Sequence, residues 1–363
     1  MNKGRDDLRI GREGIGLALT AALLFGIGTP LAKILLGDLH PQLLAGLLYL
    51  GSGLGLGSVW LARRMLHEEP REASLACGDL PWLAGVVATG GVAAPLLLLL
   101  GLERTTASSA SLLLNVEGAL TAALAWLFFR ESIGLRIAVG MTAIGCGAAV
   151  LAWQASPDWN GLPGPLLIVA ACLAWAIDNN LTQKLAGADP TQTAAIKGLV
   201  AGSVNLAIAV AADSARTDAF HLAAALTLGL GSYGISLVYY LRALRRIGTA
   251  RTSACFSLAP FVGAALAIAL WHEPLTPAFV GAALLMGTGV WLHITERHRH
   301  THLHDPLVHA HVHVHDEHHG NGHRHGPDDP SPTDPVPHVH RHRHTPLVHI
   351  HAHYPDLHHR HGS

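Results

Sequence analysis

Few residues in this chain could do chemistry, and nearly all of them sit in apolar surroundings. Glu117 falls in the middle of the stretch 105–131, TTASSASLLLNVEGALTAALAWLFFRE, where an ionised carboxylate costs at least about 2.5 kcal/mol to insert into a bilayer. Such an acid either faces a cavity, where it could bind and release a proton, or is protonated or paired and locks two helices. Asp178, Asn179 and Asn180 are adjacent polar residues in a second apolar stretch, with Thr182 one turn beyond Asp178. Three neighbours on a helix point in three directions, so at least one is expected to face a cavity. Asp178 with Thr182 is the candidate, and an Asn pair satisfying a local helix break is the alternative. Lys197 could reach Asp178 or Glu117, or snorkel to the interface. Asn115 is expected on the opposite side of its helix from Glu117, sharing an interhelical hydrogen-bonding stripe with Ser108 and Ser111. Trp175, Tyr239 and Tyr240 could line an amphipathic pocket, although the two tyrosines read better as interface-belt residues.

The elements that must position these groups are membrane helices. Half the residues are apolar and 13% are charged, too little polar surface for a soluble chain of this length. A span needs about 20 largely apolar residues. Stretches meeting that test are 14–35, 41–62, 81–102, 106–129, 134–153, 162–183, 193–212, 219–241, 248–271 and 275–294. The first is too long for a signal-peptide core and should stay attached. Cys77, Cys146, Cys172 and Cys255 form no CxxC pair and read as small packing residues.

The stretch 105–131 recurs at 249–273 with an offset of 142, pairing Ser111 with Ser253, Phe129 with Trp271 and Glu131 with Glu273. Leu24–Ile27 matches Ala174–Ile177 at a similar offset, so the chain divides into two five-helix halves. Fourteen Lys and Arg fall in loops on one side, against only Lys33, Arg104 and Arg216 on the other. That asymmetry places both termini in the cytoplasm. The halves then begin on opposite sides and are inverted repeats. The expected fold is all-α and integral to the cytoplasmic (inner) membrane: a segment 1–13, a first repeat 14–153, a second repeat 160–296 and a tail 297–363.

Leu114-Asn115-Val116-Glu117 followed by Trp126 to Glu131, and Ser257-Leu258-Ala259-Pro260 followed by His272-Glu273-Pro274, make the chain resemble the drug/metabolite transporter superfamily, specifically its EamA-type domain. The resemblance covers about residues 14–295. It implies a ten-helix carrier moving small organic solutes, usually outward, by alternating access. Gly118 departs from it, because the family often has Pro after the acid.

The tail stands outside that pattern, holding 22 of the 27 histidines. It is a tandem duplication at an offset of 40. His298, His300, His302, His304, His309, His311 and His313 recur as His338, His340, His342, His344, His349, His351 and His353. Alternating HxH without thiols suits Ni²⁺, Zn²⁺, Cu²⁺ or Co²⁺. Interspersed Pro, Gly, Asp and Arg suggest disorder without metal. A pH-dependent charged brush or a neutral expansion is the alternative.

No hydrolase, metalloprotease, Walker or dinucleotide motif occurs in a supporting context, so the chain is not expected to be an enzyme, to need a cofactor or to bind nucleic acid. The expected function is proton-coupled secondary transport of a small organic solute, with Glu117, Asp178, Asn179, Asn180, Thr182 and Lys197 for substrate and coupling. Expected partners are solute, lipid and protons, with a divalent metal on the tail and a homodimer left open. The alternatives are a divalent-metal exporter fed by the tail, and a metal-binding sensor on a carrier scaffold.

Overall fold

The computed structural model describes residues 3–66, 75–129, 134–155, 163–185 and 188–295, together with four short segments of the tail. Ten of its helices are long and apolar enough to cross a membrane: α1 Glu13–Leu35, α2 Pro41–Met65, α3 Cys77–Glu103, α4 Ala107–Phe128, α5 Leu135–Gln154, α6 Pro163–Leu185, α7 Pro190–Ala211, α8 Ala219–Leu244, α9 Arg251–Trp271 and α10 Pro277–Ile294. Several starts are fixed by local chemistry. The Asp189 carboxylate accepts from the Thr191 backbone at 2.8 Å ahead of Pro190, and the Thr276 hydroxyl accepts from Phe279 at 3.1 Å ahead of Pro277. Each pairing satisfies an orphan N–H where proline needs none. Asp218 caps α8, and the hydrogen bond from the His221 backbone holds its carboxyl below the ordinary carboxylate range.

Ten alternating spans bring the start of α1 and the end of α10 to one end of the bundle, here the proximal end. Packing follows the duplication. α2 packs on α7 and α5 on α10, while the contact of α1 with α8 has its counterpart in that of α6 with α3, and α4 packs on α9. Two of these seams depend on bare backbone. A Cβ on Gly198 would lie 2.7 Å from the Cα of Gly53, and one on Gly289 would lie 2.6 Å from the carbonyl oxygen of Gly140. In a bilayer such close approach supplies the packing that apolar burial cannot. Gly198→Leu is therefore expected to lower the detergent melting temperature, at a cost of about 1–3 kcal/mol or more. Gly281→Ala, where a Cβ meets open space, should melt like the parent. Equal melting of the two variants would remove the seam from the account.

Irregularities in the helices also repeat. Widened π turns occupy Val87–Ala93 in α3 and Leu230–Ile235 in α8, and the 142-residue offset carries one onto the other. Likewise α4 is interrupted at Leu114–Asn115 and α9 at Ser257–Leu258. Pro260 opens the second half of α9 and corresponds to Gly118. Without a proline there, the α4 break is held by Asn115, whose amide donates to the Leu112 carbonyl at 2.8 Å.

Four short segments of the tail are described, each as a strand. β1 His298–Leu303 pairs antiparallel with β4 Val348–His353, and β2 Val308–His313 pairs with β3 His338–Arg343, so each ladder joins one copy of the duplication to the other. Strict alternation with Val, Ile and Thr is strand-compatible patterning, which explains why these segments pair. His304 and His344 lie outside the described residues.

Candidate functional site in the cavity between the repeats

A cavity of about 680 Å³ lies between the two halves and extends from mid-bundle to the proximal end. Glu117 is on its wall, half-buried, because the α4 break ends just before it and frees the first turn of the resumed helix. Its carboxylate accepts a hydrogen bond from the Asn179 amide at 2.9 Å. The same amide lies 3.3 Å from the Thr121 hydroxyl, which itself donates to the Glu117 carbonyl at 2.9 Å. α4 and α6 thus hold the acid between them.

Of the three polar neighbours on α6, Asn179 is the one exposed to the cavity. The expectation for Asp178 is corrected here. It is 4% exposed, lies behind the wall rather than on it, and forms an ion pair with Lys197. Thr182 lies 3.5 Å from the Asp178 carboxylate and is likewise off the wall. Asn180 is buried, donating to the Ala176 and Thr121 carbonyls at 2.8 and 3.3 Å, which is the packing role. Lys197 reaches Asp178 and itself lines the cavity.

Two further expectations change. Asn115 shares the cavity wall with Glu117, because the helix break between them cancels the angle that an unbroken period would impose. Tyr240 lines the cavity rather than the interface belt. The reading of the sequence missed Tyr49, Tyr233, Phe25 and Phe256, which also line it. A usable signal was present: belt tyrosines sit at span ends, whereas Tyr49 and Tyr233 lie well inside theirs.

The π turn in α3 explains how this wall is fixed. Widening the helix releases the Gly90 and Gly91 carbonyls from their usual partners. Tyr49 and Trp175 both donate to Gly90, at 2.5 and 3.1 Å, and Asn205 donates to Gly91 at 3.1 Å. Gly90 has no side chain because a Cβ there would collide with the Asp178 carboxylate.

At the distal end of the bundle charge is set against helix termini. Glu273 accepts from the backbone of Ala107 at 3.0 Å and of Ser108 at 3.1 Å, and from the Ser108 hydroxyl. Lys33 donates to the Leu102 and Thr105 carbonyls. An acid at a helix start and a base at a helix end both match the helix dipole. Glu131, the repeat counterpart of Glu273, lies outside the described residues. Among the described residues no three His, Cys, Asp or Glu side chains gather where they could hold a metal ion.

With this geometry in place, comparison with known proteins is decisive on family. Residues 12–153 and 162–295 each match the EamA-like transporter family. The chain belongs to the EamA-like transporter family. An uncharacterized transporter of Methanothermobacter thermautotrophicus is 30% identical over 289 residues, covering 76% of this chain and 84% of that protein. A solved crystal structure overlays at a TM-score of 0.57 with 17% identity, over 77% of this chain and 95% of its own, which shows a shared fold. As an EamA-type protein the chain is a multi-pass membrane transporter rather than an enzyme. The two family matches correspond to the two halves that meet at Glu117 and Asn179.

Proposed function

We propose that the chain exports a small organic solute across the cytoplasmic membrane by proton-coupled alternating access, with both termini in the cytoplasm. The observation that carries this reading is the Glu117 carboxylate on the wall of a cavity that both repeats enclose. An acid near the middle of a bilayer is a group that a proton and a solute can contest. The proximal end of the cavity adjoins the Arg-rich loops, so the positive-inside rule supports loading from the cytoplasm. Its test is proton movement: the full chain in vesicles with trapped pyranine should move protons when a transported solute is supplied. A solute that is carried at a rate independent of any pH gradient would overturn the coupling.

The tail is proposed to bind divalent transition metal and to regulate or supply rather than transport. Its duplication multiplies similar ligands, which raises capacity without creating a path through the bundle. The full chain should bind several equivalents of Ni²⁺ or Zn²⁺ by calorimetry, weakening below about pH 6 as imidazoles protonate. Truncation after Glu296 should abolish that binding and preserve basal flux. Loss of all transport from a folded truncated protein would instead place the tail in the translocation path.

A further inference from the structure

We infer that the cavity is built to take an amphipathic organic cation with a single positive charge on an apolar body. This deepens the proposed function in that it treats the same cavity as the solute site. Two features of the wall point the same way, and neither suits an anion.

The first is charge. The titratable groups that line the cavity are Glu117, Lys197, His293 and three tyrosines. Lys197 is neutralised by Asp178 directly behind it. The His293 ring nitrogen is engaged 3.2 Å from the Ile137 carbonyl. Tyr49 spends its hydroxyl proton on Gly90. Glu117 accepts its hydrogen bond from a neutral amide, and with Lys197 balanced by Asp178 it is left as the net charge of the described wall once it is ionised. A carboxylate-bearing solute would meet that acid and find the Lys197 ammonium already committed.

The second is an unbroken aromatic face. Tyr49 and Tyr233 have ring centroids 5.6 Å apart, Tyr233 and Phe25 5.9 Å, Phe25 and Phe256 5.3 Å, and Phe256 and Tyr240 5.0 Å. These five rings run along the cavity on α1, α2, α8 and α9. Ring faces are the negative part of an aromatic group, so they accept both an apolar body and a cation. The cavity volume falls within the range of sites for small molecules.

A matched series separates charge from shape: 3-phenylpropyltrimethylammonium, 3-phenylpropanol, 3-phenylpropionate and phenylalanine, each titrated at pH 8 into the purified full chain by calorimetry. The cation should bind at least about tenfold tighter than the alcohol, with the anion and the amino acid weaker than both. Glu117→Gln should bring the cation-to-alcohol ratio down to about one, and Tyr233→Leu should lower it in part. Phenylalanine or phenylpropionate binding as tightly as the cation, a flat series, or no binding by any probe would overturn the inference. Because binding is read without a gradient, cation preference in a protein that moves no protons would reject the proposed coupling while leaving the substrate class standing.

Discussion

Glu117→Gln, reconstituted in vesicles with an imposed pH gradient, is expected to accumulate no solute above the level of empty vesicles, while downhill exchange persists only at solute concentrations raised to offset the lost affinity. Glutamine keeps the shape of the side chain and its hydrogen bond with Asn179, 2.9 Å away, but cannot carry a proton. Coupling between two gradients exists only where one ligand alters the affinity for the other, and it vanishes when one of the two binding sites is removed. The variant should also lose the pH dependence of exchange that the parent shows. Uphill accumulation at the parental level, with an unchanged pH profile, would move proton coupling away from this residue.

Asp178→Asn is expected to fail at an earlier step, as loss of folded protein. Asp178 is buried and its partner Lys197 is fixed to it, so removing the acid strands an ammonium beside an apolar wall. Stranding one member of a buried pair costs about 3–5 kcal/mol, less here to the extent that Lys197 borders the cavity. Replacing both, as Asp178→Leu with Lys197→Met, should recover much of that loss, and the double-mutant cycle should show a coupling of about 0.5–3 kcal/mol. Thermal denaturation followed by size exclusion measures each variant. If Asp178→Asn melts with the parent and only solute affinity falls, the residue contacts solute after all.

That reassignment marks where the sequence stops being legible. Spans, repeats and the placement of Glu117 on a cavity follow from quantities that a bilayer enforces one residue at a time: apolar length, loop charge and the cost of a buried acid. Which of Asp178, Asn179 and Asn180 meets the cavity depends on how α6 is rotated against α4 and α3, and adjacent residues differ by about 100° on a helix. The Gly90 clearance fixes that rotation, and it belongs to another helix. Helical spacing misplaces Asn115 because the helix breaks at 114–115, where no proline announces it. The five-ring face is assembled from four helices, so no local window contains it.

One asymmetry between otherwise matching halves reaches further. At the distal end the chain turns at Arg104–Thr106 and restarts α4 under the Glu273 cap, whereas at the proximal end helical winding continues from Ser236 to Phe256 while the chain folds back, bringing the Phe256 ring to 5.0 Å from that of Tyr240. Two stretches related by the duplication therefore hold two different turns at once, one open and capped by a carboxylate, one wound as helix. If each half can adopt the shape of its twin, a chain that is its own template needs no third arrangement. The opposite-facing state would wind 94–113 and open 236–256, and the molecule would cross its membrane cycle by exchanging the roles of its two ancestors.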